Sequence, residues 1–140
     1  MKDVPSWVID TNVLISGLLN ADGLPGRLLD AILVGELRIT FDDRIEREYR
    51  EVLSRSKFGI PAALRETVLD ALKIQDAVSA PVRQTRLLPD PDDLPFLEIA
   101  SVATDHVLVT GNVKHYPLRE RGTVLVLSPA EAWKRLTAAR

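Results

Sequence analysis

Two short stretches of this chain are apolar at every position, Trp7-Val8-Ile9 and Val124-Leu125-Val126-Leu127, and a third, Val107-Leu108-Val109, ends on Thr110. A strand with one face in water alternates apolar and polar residues; a strand covered on both faces does not. These runs therefore predict parallel strands buried between two layers of helix. Leu37 to Phe41 alternates in the ordinary way and predicts a further strand, and Ala77 to Val82 predicts one at an edge, where Pro81 is tolerable.

Helical patterns fill the intervals. Val13 to Leu19 is apolar enough for a first helix. A turn is expected over Ala21 to Gly26, then a second helix from Arg27 to Leu33, closed by Gly35. Asp42 is placed to cap a helix over Asp43 to Ser54, whose apolar face is Ile45, Tyr49, Val52 and Leu53. Pro61 to Ile74 carries a stripe of Leu64, Val68, Leu69 and Leu72. Asp90 to Pro95 reads as a turn opening a helix to Thr104, and Ser128 caps a last helix from Pro129 to Leu136. Strands alternating with helices specify an α/β sandwich around a mostly parallel sheet. With 140 residues, no repeat and no linker, the whole of 1–140 is expected to be one domain.

Composition narrows the chemistry. The chain has no cysteine and two histidines, His106 and His115. A disulfide framework, a Cys-based zinc site and a His-rich centre are excluded, leaving carboxylate oxygens, which suit hard ions such as Mg2+ or Mn2+. The net charge of −2 rules out a polycation that coats nucleic acid, but not a local basic rim. No apolar run reaches the ~18 residues of a membrane span, and the start of the chain lacks a signal-peptide pattern, so a cytoplasmic protein is expected.

In open parallel sheets, ligands bind beyond the carboxyl ends of the strands, near the point where strand order reverses. Asp10 directly follows the first strand, with Thr11 and Asn12 beside it. Asp92 and Asp93 open the helix that leads into the Val107 strand, and Thr110-Gly111-Asn112 follows that strand. On the Asp43 helix, the ~100° turn per residue sets Glu48 on one flank of the apolar stripe and Glu46 on the other. Glu48 is the better candidate, although helical geometry alone does not separate the two. Glu51 points outward, with Arg47 as an available i−4 partner. Clustered carboxylates repel, and a divalent cation relieves the repulsion while acidifying a bound water. Each acid also has a plainer use: Asp10 and Asp93 are positioned as helix N-caps, Glu48 as a solvated helix residue, and Asn112 as a turn former.

The segments Ile9-Asp10-Thr11-Asn12-Val13-Leu14-Ile15-Ser16-Gly17, Glu48-Tyr49-Arg50-Glu51-Val52-Leu53-Ser54-Arg55, Asp90-Pro91-Asp92-Asp93-Leu94-Pro95-Phe96-Leu97, Val109-Thr110-Gly111-Asn112-Val113-Lys114-His115-Tyr116-Pro117 and Leu127-Ser128-Pro129-Ala130-Glu131 occur in this order along the chain. Together they resemble the PIN domain family, and within it the VapC-like branch associated with toxins of toxin–antitoxin systems. The resemblance implies a Rossmann-like sheet of order 3-2-1-4-5 with a carboxylate pocket at its C-terminal edge. Asp10, Glu48 and Asp93 match the family's three principal acids, with Asp92 assisting as a metal ligand. Asn12, Ser16 and Thr110 match the supporting polar positions. The implied activity is Mg2+- or Mn2+-dependent hydrolysis of RNA, with a cognate antitoxin and a homodimer as implied partners. One departure stands out: many members carry a fourth acid after the fourth strand, where this chain has Asn112 and then His115. Phosphate contacts are expected from Arg44, Arg47, Arg50, Lys114 and His115. Two competing expectations are a PIN-like RNA-binding or scaffold domain without chemistry, and a receiver-type signalling domain. The latter is disfavoured, because the third strand segment ends Ala80-Pro81-Val82 rather than on an acceptor aspartate.

Overall fold

A computed structural model describes residues 4–72, 75–77 and 88–138. Its centre is β1 (Ser6–Ile9), which the chain leaves through α1 (Thr11–Leu19) and α2 (Leu24–Leu33) before returning as β2 (Arg38–Phe41). Next come α3 (Asp43–Leu53), α4 (Ala62–Ala71) and a two-residue β3 (Asp76–Ala77). The second half runs α5 (Leu94–Val102), β4 (Val107–Val109), β5 (Leu125–Leu127) and α6 (Pro129–Ala138). The five strands lie in the order β3-β2-β1-β4-β5, and each pairing is parallel. This is the α/β order that the resemblance implied.

The apolar runs are buried for the reason given by their pattern. Val8, Ile9, Val107, Leu108 and Val109 are inaccessible to solvent, and helices cover both faces of the sheet they form. Register aligns Ile9 with Val109, and Val109 with Leu127, so three strands end at one level. Leu125 is the exception, half-exposed on the outer strand. The expected edge strand begins earlier than its sequence suggests, at Asp76–Ala77, and the remainder of the Ala77–Val82 segment lies outside the described residues.

Local signals explain most helix ends. Asp42 caps α3, its carboxylate accepting from the Ile45 amide at 3.0 Å. At α6, Ser128 and Glu131 form a reciprocal capping box: the Glu131 amide donates to Ser128 Oγ at 3.2 Å, and the Ser128 amide donates to Glu131 Oε1 at 3.0 Å. Gly35, at φ +84°, closes α2 as expected.

Three expectations need correction. Leu24-Pro25-Gly26 is the first turn of α2, not a preceding loop, because proline suits a helix start and Gly26 packs so tightly that a Cβ would strike the Ala21 carbonyl. Leu64 is exposed, whereas Val68, Leu69 and Leu72 are buried; the inward stripe of α4 is narrower than its composition suggests. Glu51 pairs with Arg55 at i+4 (2.8 Å), the geometrically favoured direction, and not with Arg47.

Candidate active site

Strand β1 delivers Asp10 to the C-terminal edge of the sheet, between β2 and β4, where the strand order reverses. Its backbone amide continues the ladder, donating to Val109 O at 2.8 Å. The residue has the extended backbone of an N-cap, but its carboxylate makes no capping hydrogen bond. Instead Asp10 Oδ2 accepts from Thr110 Oγ1 at 2.8 Å and from the Tyr116 hydroxyl at 3.1 Å. Asp93 likewise precedes α5 without capping it; Asp90 holds that turn, accepting from the Asp92 amide at 3.0 Å. Asp93 is therefore not spent on capping, and Asp10 is held chiefly by the two hydroxyls.

Glu48 is set by α3, whose next residue, the buried Tyr49, donates its hydroxyl to the Ile9 carbonyl directly before Asp10. Helix α3 is thus tied to the end of β1. Glu48 accepts from the Thr11 hydroxyl, whereas Glu46 is engaged by Arg50 at 3.7 Å. The structure separates the two glutamates that helical geometry left unresolved. Asp93 Oδ2 lies 3.2 Å from His115 Nδ1.

Electrostatics joins the three acids. Burial pushes the Asp10 carboxyl above its ordinary range, against the pull of Thr110, Tyr116 and the amides of Thr11 and Asn12. Glu48 is raised by burial, then by the charges of Asp10, Asp92 and Asp90, with Thr11 opposing. Asp93 is raised to about 6 by burial and by the charges of Asp10 and Asp90, with His115 opposing. The Asp10 charge raises both of the others, which is the signature of like charges crowded at one edge.

The remaining candidates are distributed as follows. Asn12 Oδ1 accepts from the Gly111 amide at 2.9 Å, tying the start of α1 to the loop after β4. Thr110 is fully buried, and its hydroxyl also accepts from the Asn112 amide at 3.0 Å. The Asn112 residue itself is exposed, as are Asp92 and Ser16. Arg47 and Lys114 are exposed, and Arg50 is half-exposed. Arg44 is a correction: it does not reach out for phosphate. Its guanidinium is held 2.7 Å from both Asp42 and Glu98, Glu98 is 2% exposed, and Nη2 is buried.

Two residues escaped sequence reasoning. Tyr116 gave no signal beyond following His115, and Glu98 is a lone acid in the otherwise apolar run Pro95 to Ala100, a signal of burial that sequence reasoning did not take up. Only tertiary contacts reveal their partners.

The donor set suits a hard divalent ion, because it consists of carboxylates that repel one another. Its geometry is open: among the described residues no three Asp, Glu or His side chains converge closely enough to form a ready cage.

The family model described as PIN domain matches residues 6–114, from the start of β1 into the loop after β4. The chain belongs to the PIN domain family. The chain is also similar to uncharacterized protein MJ1680 of Methanocaldococcus jannaschii, at 27% identity over 124 residues, covering 86% of this chain and 79% of that protein. PIN domains are generally a nuclease fold and typically work with divalent metals. In this PIN domain, Asp10 directly follows β1, Glu48 lies on α3 and Asp93 directly precedes α5, all within the residues that the family match spans. Among the described residues no helix is long and apolar enough to cross a membrane.

Proposed function

We propose that this PIN domain is a metal-dependent endoribonuclease, with Asp10, Glu48 and Asp93 as its catalytic acids. The observation carrying this reading is that Asp10 and Asp93 both sit at helix starts without a side-chain cap of the Asp42 kind, while burial drives both carboxyls upward in pKa and the charges of Asp10 and Asp90 add to the rise at Asp93. Asp10 keeps its hydroxyl partners, yet burial still holds its carboxyl, like that of Asp93, in an unfavourable charged state that a bound cation would relieve.

Asp10, Glu48 and Asp93 would hold Mg2+ or Mn2+, with Asp92 at the rim. Such an ion neutralises charge on a phosphate oxygen and acidifies a water. The protein's own contribution is positional. Thr110 fixes Asp10, Thr11 fixes Glu48, and Asn12 secures the loop carrying Asn112, Lys114 and His115. Ser16 faces solvent one helical turn beyond Asn12. Arg47, Arg50, Lys114 and His115 supply the phosphate contacts that orient an RNA strand.

The family resemblance further supports a toxin of a toxin–antitoxin pair, held by a cognate antitoxin and working as a homodimer in the cytoplasm. Exposed Leu19 and Leu33 on α1 and α2, and Leu64 on α4, offer apolar surface for such contacts.

Purified protein is expected to cleave single-stranded RNA with Mg2+ or Mn2+ and to stop when the ion is chelated. Asp10→Asn and Asp93→Asn should each lower cleavage by at least about a hundredfold. Wild-type rates in both variants would sink the site assignment. A second reading, RNA binding without cleavage, is favoured by the open spacing of the acids and by Asn112 at the fourth position. RNA retention with no Mn2+ binding in calorimetry is its expected result.

A further inference from the structure

The two hydroxyls on Asp10 share a single oxygen. Thr110 Oγ1 lies 2.8 Å from Asp10 Oδ2 and the Tyr116 hydroxyl lies 3.1 Å from the same atom. Thr110 accepts from the Asn112 amide, so its own proton is available to Asp10. Tyr116 is wholly buried, and the hydroxyl of a buried tyrosine ordinarily requires a partner. Its partner here is a carboxylate 106 residues earlier in the chain.

The loop that presents Tyr116 is itself braced. Arg121 Nε donates to the Tyr116 carbonyl at 2.7 Å, and the Tyr116 amide donates to Val113 O at 3.1 Å. Residue 115 of the same loop reaches Asp93, so consecutive side chains contact acids from β1 and from the start of α5. This is the loop in which the family's fourth acid is replaced by an amide.

We propose that Tyr116 is a positioning residue: with Thr110 it holds the Asp10 carboxylate through Oδ2 in the one orientation in which it would meet the divalent ion. This rests on the metal-dependent reading above. In a site with three principal acids, an ion depends more heavily on each ligand being fixed before it arrives. Outer-shell partners of metal ligands typically govern affinity by 10- to 100-fold.

The test is Tyr116→Phe, which keeps the buried ring and removes only the hydroxyl. Mn2+ binding is read by calorimetry on the full chain, beside thermal unfolding of the metal-free protein. The expected result is a Kd for Mn2+ raised by about 10-fold or more, with the metal-free Tm unchanged or higher. RNA cleavage at saturating Mn2+ should lose kcat while the KM for RNA stays within twofold of wild type, as an orienting role requires and a merely structural one does not. An unchanged Mn2+ Kd in Tyr116→Phe, with wild type binding normally and Asp10→Asn not binding, overturns this proposal alone. A weakened Kd accompanied by a large fall in the metal-free Tm overturns it too, in favour of a packing role. Absence of Mn2+ binding in wild type overturns both this inference and the reading beneath it.

Discussion

Asp93 makes the conflict between stability and function measurable at a single side chain. Its folded-state carboxyl sits at about 6 against an ordinary value of 3.8. The folded protein therefore holds this proton more tightly than the unfolded chain does. Below pH 3.8 both states are protonated and the contribution to stability is complete; it is lost as pH rises from 3.8 to about 6, and stays lost above. Burial shifts Asp10 in the same direction, and burial with the charges of Asp10, Asp92 and Asp90 so shifts Glu48. Metal-free wild type should accordingly gain Tm between about pH 7.5 and about pH 5, relative to Asp93→Asn. At neutral pH, Asp93→Asn should be the more stable protein by roughly 1 kcal/mol, a figure already discounted for the solvent that screens a half-buried carboxylate. Adding Mn2+ should reverse the order, since only the acid gains from the ion. Thermal melts of both proteins at the two pH values, with and without Mn2+, check this. A wild type more stable than Asp93→Asn without metal at neutral pH would show that the acid is structurally satisfied.

At the scale of elements, the bridge from Arg44 to Glu98 joins α3 to α5, the two helices that carry Glu48 and follow Asp93. Arg44→Met removes the cation opposite a carboxylate that is 2% exposed, and breaking such a pair from one side typically costs about 3–5 kcal/mol. Urea unfolding should show a lowered midpoint of that order, and Glu98→Gln a smaller one. A loss under about 1 kcal/mol in Arg44→Met would mean that the bridge is dispensable. This bridge also marks where sequence reading stops. The buried strands, the Asp42 cap and the Ser128 cap are local, and their residues declare them. The start of α2 is local too, but ambiguous, because proline and glycine serve turns and helix starts alike until Ala21 is seen to crowd Gly26. The contact of Arg44 with Glu98 spans 54 residues and that of Tyr116 with Asp10 spans 106, and no periodicity encodes either. Asp10 and Asp93 were legible as candidates because each stands at the end of a strand or the start of a helix, and Glu48, midway along α3, because it flanks the apolar stripe; Tyr116 as a partner of Asp10 was not.

The whole molecule bears on substrate through its charge. A net charge of −2 means that the surface at large repels an RNA strand, so binding must come from a few cations beside the site. With Arg44 committed to Asp42 and Glu98, the cations proposed for that role are Arg47, Arg50 and Lys114, beside His115. Arg50 is partly engaged by Glu46 at 3.7 Å, a pair exposed enough to open for a phosphate. Each neutralised phosphate of a single strand releases counterions that add about 0.7 to the slope of log K against log salt. Three or so contacts predict a slope of about −2, shallow beside that of a dedicated nucleic-acid-binding protein. RNA binding by Asp10→Asn, which holds the strand without cutting it, is the measurement, made by fluorescence anisotropy across a salt series. Placing Arg47→Gln or Lys114→Gln in that background should each flatten the slope by about 0.7. A steep slope, or one that neither substitution alters, would move the RNA path to a different face. The shallow slope also bears on activity: a strand held by so few charges dissociates readily, so its selection depends on what fits between the α3 arginines and the loop after β4.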